Sequence, residues 1–267
     1  MLLFEAPLDF DPALKAEYRA WMPETHDPGQ VTVWVCDPLG GEIAELHLLQ
    51  FPNLLVLATP STGTDHIDAF ACKRLGVKVL SLLDDREGLE TISASAEFTF
   101  KLLLDALRLL PGRELQGKKV GIVGRGRIGR RLLHWLSAFE ASGFFYDPAW
   151  LAWSKPLDWL FANCDAMVIC CTLNDSTRGL ITGDLLRSMK RGAVLVNTAR
   201  AKVVVETALL SVTNERPDIR VAVDVTDYPE QLAARGAIVT PHIAGNTFES
   251  RTKAARIILN LLKGATL

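Results

Sequence analysis

The sequence has no excess of either charge: 29 Lys and Arg stand against 31 Asp and Glu, a formal net charge of −2. That balance lacks the electrostatic footprint of a protein that binds nucleic acid or an anionic membrane surface. Cysteine is scarce, and the five present (Cys36, Cys72, Cys164, Cys170 and Cys171) are odd in number. No C-x-x-C pair and no Cys/His ligand spacing occurs among them, so neither a disulfide framework nor a metal centre is expected. Three lie in or beside apolar runs and read as buried free thiols in a reducing compartment. No apolar stretch approaches the ~20 residues of a membrane span. The opening MLLFEAPLDF has no basic flank, and Glu5 and Pro7 break its apolar run, so it does not read as a signal peptide. A cytoplasmic protein away from membranes is expected. Internal repeats and low-complexity linkers are also missing.

What is there is an alternation of short β-rich runs with amphipathic helical stretches, the pattern of a parallel α/β sheet. Strands are predicted at Leu2–Glu5, Val31–Val35, Leu54–Ala58 and Val77–Leu80, with helical segments at Asp11–Trp21 and Asp68–Leu75 between them. A long apolar helical stretch, residues 91–110, ends at Pro111-Gly112 and is suited to joining two domains. Six further strands are predicted: Lys119–Val123, Gly143–Tyr146, Ala166–Cys171, Ala193–Asn197, Ile219–Val223 and Ala237–Thr240. Thr182 can cap a helix that Lys190, Arg191 and Gly192 close. Six strands with crossover helices are the material of a doubly wound sheet of the Rossmann type.

The run VGIVGRGRIG sets Gly124, Gly126 and Gly129 between an apolar strand and a helix-forming stretch, with Arg127 and Ile128 inside the turn. The next strand ends in Asp147, 18 positions after Gly129, close to the ~20 expected of a ribose-binding acid. Gly124 permits a tight turn, Gly126 lets backbone approach a pyrophosphate, and Gly129 lets helix lie on strand. The partial positive charge at the helix N-terminus then faces the phosphates. Asp147 would accept hydrogen bonds from ribose hydroxyls and repel a 2′-phosphate, which favours NAD. Were NADPH bound as tightly, Arg125 and Arg127 would be the residues responsible.

Ligands of open α/β sheets bind beyond the carboxyl ends of the strands. Polar or glycine residues stand at all six of these exits: Gly124, Asp147, Thr172, Arg200, Asp224 and His242. Arg200 and His242 make a chemically sensible pair for hydride transfer at a 2-oxo acid. A guanidinium can hold a carboxylate with two parallel hydrogen bonds and polarise the neighbouring carbonyl. An imidazole can protonate the carbonyl oxygen, or deprotonate the hydroxyl in reverse. A carboxylate beside His242 would orient it, and both Glu230 and Asp227 are placed to do so.

Several of these runs together resemble the D-isomer-specific 2-hydroxyacid dehydrogenases. They are VGIVGRGRIG, LVNTAR (195–200), VAVDV (221–225), TPHIAGNT (240–247), ATPSTGTDHID (58–68) and SASAEFTF (93–100). The likeness covers most of residues 52–260. It implies a catalytic set of Arg200, Glu230 and His242. It also implies cofactor contacts at Thr172, Thr198, Ala199 and Asp224, the last with the nicotinamide carboxamide. Backbone around Ser61, Thr62 and Gly63 would hold the substrate carboxylate, and the family habit is a homodimer. The sequence departs from the family pattern at Thr172, Ala201 and Val205, and in DVTDYPEQL (224–232), where Glu230 is shifted by one place. It is also shortened after Gly112, where the family carries a segment of its dimer interface.

The expected architecture is therefore a Rossmann-type domain over 89–245 and a smaller flavodoxin-like α/β domain over 1–88 plus 246–267. The expected activity is the NAD-dependent interconversion of a small 2-oxo and 2-hydroxy acid. Two alternatives stand beside it. One is a cofactor sensor of the corepressor kind on the same scaffold. The other is a dehydrogenase of phosphorylated sugar acids, for which no Lys/Arg cluster marks a phosphate pocket.

Overall fold

Neighbouring strands in both sheets run parallel, so the chain must return by a crossover between them, and helices fill that role. The computed structural model describes residues 1–7, 11–109 and 112–265. They form two units, one of Met1–Ile92 with the C-terminal segment from Asn246, the other Ser93–Gly245.

In the first unit β1 (Leu2–Phe4), β2 (Val33–Val35), β3 (Val56–Ala58) and β4 (Lys78–Leu80) lie side by side in chain order, all parallel. The two-residue period of a strand divides their side chains between two faces. Leu2, Val33, Val35, Val56 and Ala58 meet Leu14 and Tyr18 of the helix Pro12–Trp21, and Ile258 and Leu262 of the helix Phe248–Gly264. Leu3, Trp34 and Leu57 face Leu48, Ala71 and Cys72. Helix starts are fixed by side-chain caps: Asp11 accepts from the Leu14 amide, Asp68 from that of Ala71, and Thr247 from that of Ser250. Leu89 and Ile92 belong to this core as well.

The second unit holds β5 (Lys119–Val123), β6 (Ser142–Tyr146), β7 (Ala166–Ile169), β8 (Val194–Asn197), β9 (Arg220–Val223) and β10 (Ile238–Val239). Their order in the sheet is β10-β9-β8-β7-β5-β6, all parallel. The near-continuous burial of β5, β7, β8 and β9 shows a sheet covered on both faces. Val120, Ile122, Ala166 and Val168 face Leu102 and Leu103 of the helix Ala94–Arg108 and Leu132 and Leu136 of the helix Arg127–Ala138. Val123, Met167, Ile169 and Leu195 face Leu160, Phe161 and Leu186. The strand order reverses at β5, so a crevice opens between the loops that follow β5 and β7.

Two helices differ from the reading of the sequence. The stretch expected to be helical from residue 91 begins at Ala94. The Thr91 hydroxyl and amide both donate to the Gly88 carbonyl and close the preceding helix Arg86–Glu90. Its expected end at Pro111 lies outside the described residues, and the helix runs to Arg108. The helix capped by Thr182 stops at Ser188 rather than at Lys190. Lys190 lies beyond its end, in an ion pair with Asp165 at 2.7 Å. Among the described residues no helix is long and apolar enough to cross a membrane, and no cluster of His, Cys, Asp and Glu could hold a metal ion. All five cysteines are free thiols, three of them buried.

Candidate active site

The turn after β5 is built by exclusion. Gly124 has φ +98°, and a Cβ there would lie 2.7 Å from the Cys171 Cα, so no side chain fits. At Gly129 a Cβ would lie 2.1 Å from the Gly124 carbonyl oxygen, which lets the helix Arg127–Ala138 start directly on the turn. Gly126 occupies the N-cap, no side chain caps that end, and the space beside its Cα is open. Arg127 and Ile128 form the first turn. A helix of this length with uncapped first-turn N–H groups beside open space fits a pyrophosphate. The residues therefore suit a dinucleotide.

Asp147 follows β6. Its carboxylate accepts from the Arg125 amide (2.7 Å) and the Ala149 amide (2.9 Å), one on each oxygen. An ionised carboxylate has about four lone-pair sites, so capacity for ribose hydroxyls is left. The exit of β7 carries Cys170, Cys171 and the exposed Thr172, whose carbonyl accepts from the Thr177 hydroxyl at 2.7 Å. Burial pushes both thiols up, that of Cys171 to about 11, so neither is a thiolate near neutral pH.

At the end of β8 a residue outside the sequence-predicted site set organises the loop. Asn197 is 2% exposed. Its Oδ1 accepts from the Ala199 amide (3.0 Å) and its Nδ2 donates to the Arg200 carbonyl (3.1 Å). The only sequence signal was an amide closing the apolar run LVN. Thr198 is buried and its hydroxyl meets that of Thr99 at 2.7 Å. Ala199 is buried too, and its carbonyl accepts from the half-buried Arg200 guanidinium at 2.8 Å.

The exits of β9 and β10 are tied together. Asp224 is 1% exposed, and its Oδ1 accepts from the Thr240 hydroxyl (2.5 Å) and the Ile243 amide (2.9 Å). Its Oδ2 accepts from the Ala244 amide (2.8 Å), and its carbonyl from the His242 amide (2.9 Å). The loop that carries His242 is thus wrapped around one buried carboxylate. His242 itself is exposed and sits at φ +55°. Histidine is enriched among residues that adopt this region, at a cost on the order of 1 kcal/mol.

Glu230 lies in the short helix Pro229–Ala233 and is exposed, and its carboxylate accepts no hydrogen bond from a described residue. Asp227 donates its amide to Glu206 at 2.8 Å, and its carboxylate is likewise unengaged among the described residues. In the first unit the loop after β3 is closed on itself. The Ser61 hydroxyl donates to the Gly63 carbonyl (2.6 Å) and lies 3.0 Å from that of the buried Thr59, with Thr62 at the tip.

Residues 96–244 match the NAD-binding domain of the D-isomer-specific 2-hydroxyacid dehydrogenases. The chain is 33% identical over 254 residues to a glyoxylate reductase of Thermofilum pendens, covering 80% of this chain and 73% of that one. It is 27% identical to the mitochondrial formate dehydrogenase of Solanum tuberosum over 76% of this chain, and spans 61% of that enzyme's length. Among solved structures, the TT0316 protein of Thermus thermophilus superposes with a TM-score of 0.82 at 25% identity, over 98% of this chain and 97% of that one. Motif, sheet order and relatives agree: the chain belongs to the D-isomer-specific 2-hydroxyacid dehydrogenase family, and carries that family's NAD-binding domain.

Proposed function

We propose that this protein is an NAD-dependent oxidoreductase that interconverts a small 2-oxo acid and the corresponding 2-hydroxy acid. The observation that carries the reading is the wrapping of the His242 loop around Asp224, at the exit of β9, the neighbour of the strand whose exit holds Arg200. When bound, the nicotinamide supplies the hydride in reduction and takes it in oxidation. Gly124, Gly126, Gly129 and the first-turn amides of Arg127 and Ile128 would hold the dinucleotide's pyrophosphate, and Asp147 would hold its adenosine ribose. Thr172, Thr198 and Ala199, at the exits of β7 and β8, are the residues we assign to further cofactor contacts.

The Arg200 guanidinium takes the substrate carboxylate edge-on and draws electron density from the carbonyl beside it. His242 gives a proton to the carbonyl oxygen in reduction and removes it from the hydroxyl in oxidation. Glu230 is the carboxylate we assign to orient the imidazole. In an unliganded site such a hydrogen bond is often not yet formed. Asp224 positions: its oxygens already accept three hydrogen bonds, so its main work is to fix the backbone that aims His242. It keeps lone-pair capacity for the carboxamide that the family resemblance assigns to it. In the first unit the backbone N–H groups of Ser61, Thr62 and Gly63 are the segment we assign to carboxylate binding. With five free thiols, we assign the protein to the cytoplasm.

Stopped assays of NADH oxidation with glyoxylate, hydroxypyruvate and pyruvate test this reading, beside a direct titration of NADH. Turnover of at least one 2-oxo acid is expected. Tight NADH binding with no turnover across the panel would instead favour the sensor.

A further inference from the structure

In the first unit a half-buried histidine that no step of the proposed reaction uses stands behind the loop after β3. The hydroxyl of the fully buried Thr59 lies 3.0 Å from that of Ser61 and 3.4 Å from His66 Nε2. His66 Nε2 also lies 3.9 Å from the Sγ of Cys36, a buried residue that follows β2. Burial pushes that thiol up to about 12, so it stays neutral beside the ring.

Counting protons gives this chain of contacts a direction. The Ser61 hydroxyl gives its proton to the Gly63 carbonyl at 2.6 Å. Its oxygen is then the acceptor in the 3.0 Å contact, so the Thr59 hydroxyl donates to it. With the Thr59 proton spent, the contact with the ring requires a proton on His66 Nε2. The series therefore runs from the His66 N–H through the Thr59 and Ser61 hydroxyls to the Gly63 carbonyl.

The backbone beneath the ring is held by other bonds. The Ile43 amide donates to the His66 carbonyl (2.7 Å), the Asp68 amide to the Ile43 carbonyl (2.9 Å), and the Ala71 amide to the Asp68 carboxylate (2.8 Å). Ile67, between them, is buried in the core. These bonds keep residues 66–68 in place whatever side chain stands at 66. Within the network, the ring's contribution falls on the side chains of Thr59 and Ser61.

We propose that His66 is a positioning residue for the substrate: through Thr59 it fixes the Ser61 hydroxyl, and so the turn of residues 61–63 whose amides hold the carboxylate. The proposal rests on the 2-oxo acid reading, in which that loop binds the carboxylate. Backbone amides hold an anion best when they converge before it arrives. A loop that also samples other turns has its apparent affinity reduced by the fraction out of place, while the bound complex reacts as before. The loss from breaking the series should therefore fall on KM and not on kcat.

Steady-state kinetics of the whole protein at saturating NADH test the proposal, with glyoxylate, hydroxypyruvate or pyruvate, whichever the wild type turns over fastest. Oxamate serves as a carboxylate probe that is not reduced. His66→Leu should raise KM and the oxamate inhibition constant together by about three- to tenfold, the scale of one hydrogen bond. Its kcat and NADH affinity should stay within about twofold of the wild type. His66→Gln keeps an N–H donor near the Nε2 position and should restore both constants to within about twofold. Thr59→Val breaks the series at its next link, and adding His66→Leu to it should cost nothing further, because the two act through one network. A His66→Leu variant with both constants unchanged overturns the proposal. So does one that loses kcat or NADH affinity to the same degree, or a His66→Gln variant as weak as His66→Leu. Should His66→Leu not fold, the same readings on Thr59→Val and His66→Gln decide. An active wild type with an indifferent His66→Leu strikes this proposal alone. A wild type that reduces no 2-oxo acid brings down the reading of function and this proposal with it.

Discussion

The two sheets of this molecule are both parallel and both covered by helices, yet they end differently. In the first unit the strands follow chain order from β1 to β4, and polar groups at the strand exits close on one another. Glu5 accepts from the Trp34 indole (2.7 Å), Ser61 donates to the Gly63 carbonyl, and Asp84 accepts from the Ser81 amide (2.8 Å). In the second unit the order reverses at β5, and the exit there leaves a helix start that no side chain caps. The first-turn amides after Gly126 have no side-chain cap, and Arg125 Nε has no acceptor. A reversal of strand order separates neighbouring loops and makes room for a ligand. A sheet in chain order opens no such crevice, and the side chains at its exits bond within the fold, leaving ligand binding there to loop backbone.

The largest effect should come from breaking the turn at that reversal and comparing it with a turn elsewhere. Gly124→Ala puts a Cβ at positive φ against the Cys171 backbone, and NADH affinity should fall by about 100-fold or more, the ~3 kcal/mol scale of strain and overpacking. Gly76 also has positive φ, but open space surrounds its Cβ position. Gly76→Ala should cost only about 1–2 kcal/mol of stability and leave NADH binding alone. Equal losses of binding in the two variants would dissolve the distinction between the units.

A smaller loss is expected at the β8 exit. Arg200→Lys keeps the charge but not the fork, so kcat/KM for the 2-oxo acid should drop about 10- to 100-fold with NADH affinity retained. A fully active lysine variant would contradict the clamp. Smaller still is the effect of the carboxylate assigned to orient His242. If Glu230 stabilises the imidazolium, Glu230→Gln should move the alkaline fall of the reduction rate to lower pH, and Asp227→Asn should not. The opposite pattern would make Asp227 the partner. In the first unit, Tyr18→Phe removes the buried hydroxyl that donates to the Ala255 carbonyl at 2.6 Å. That should cost about 1–3 kcal/mol, seen as a lower unfolding midpoint, without altering cofactor affinity.

Much of the second sheet could be read in advance because buried parallel strands are unbroken apolar runs, and VGIV, AMVI and RVAV carry the signal plainly. The glycine spacing was legible for a similar reason: steric exclusion leaves no other residue at Gly124 and Gly129. What could not be read was the backbone-directed use of polar side chains. Nothing in LVN says that Asn197 bonds to the amide of one neighbour and the carbonyl of another. Nothing in VAVDV says that Asp224 spends its oxygens on residues 16 to 20 positions away. The sequence names Arg125 beside Arg127 without separating them, because the ring partners that hold Arg125 lie in β6 and the helical segment after it. Such contacts depend on register between strands, which one-dimensional spacing does not encode.

The proposed catalysis depends on a proton carried by His242, and paired pH–rate profiles test that most directly. The rate of 2-oxo acid reduction should fall as pH rises through the imidazole's titration, because only the protonated ring can donate. Oxidation of the hydroxy acid should rise over the same range, because only the neutral ring can accept. His242→Ala should lose on the order of 10²–10⁴ in both directions and flatten both arms, with NADH affinity unchanged. A variant that reduces 2-oxo acids as fast as the wild type, with the same pH profile, would contradict the account.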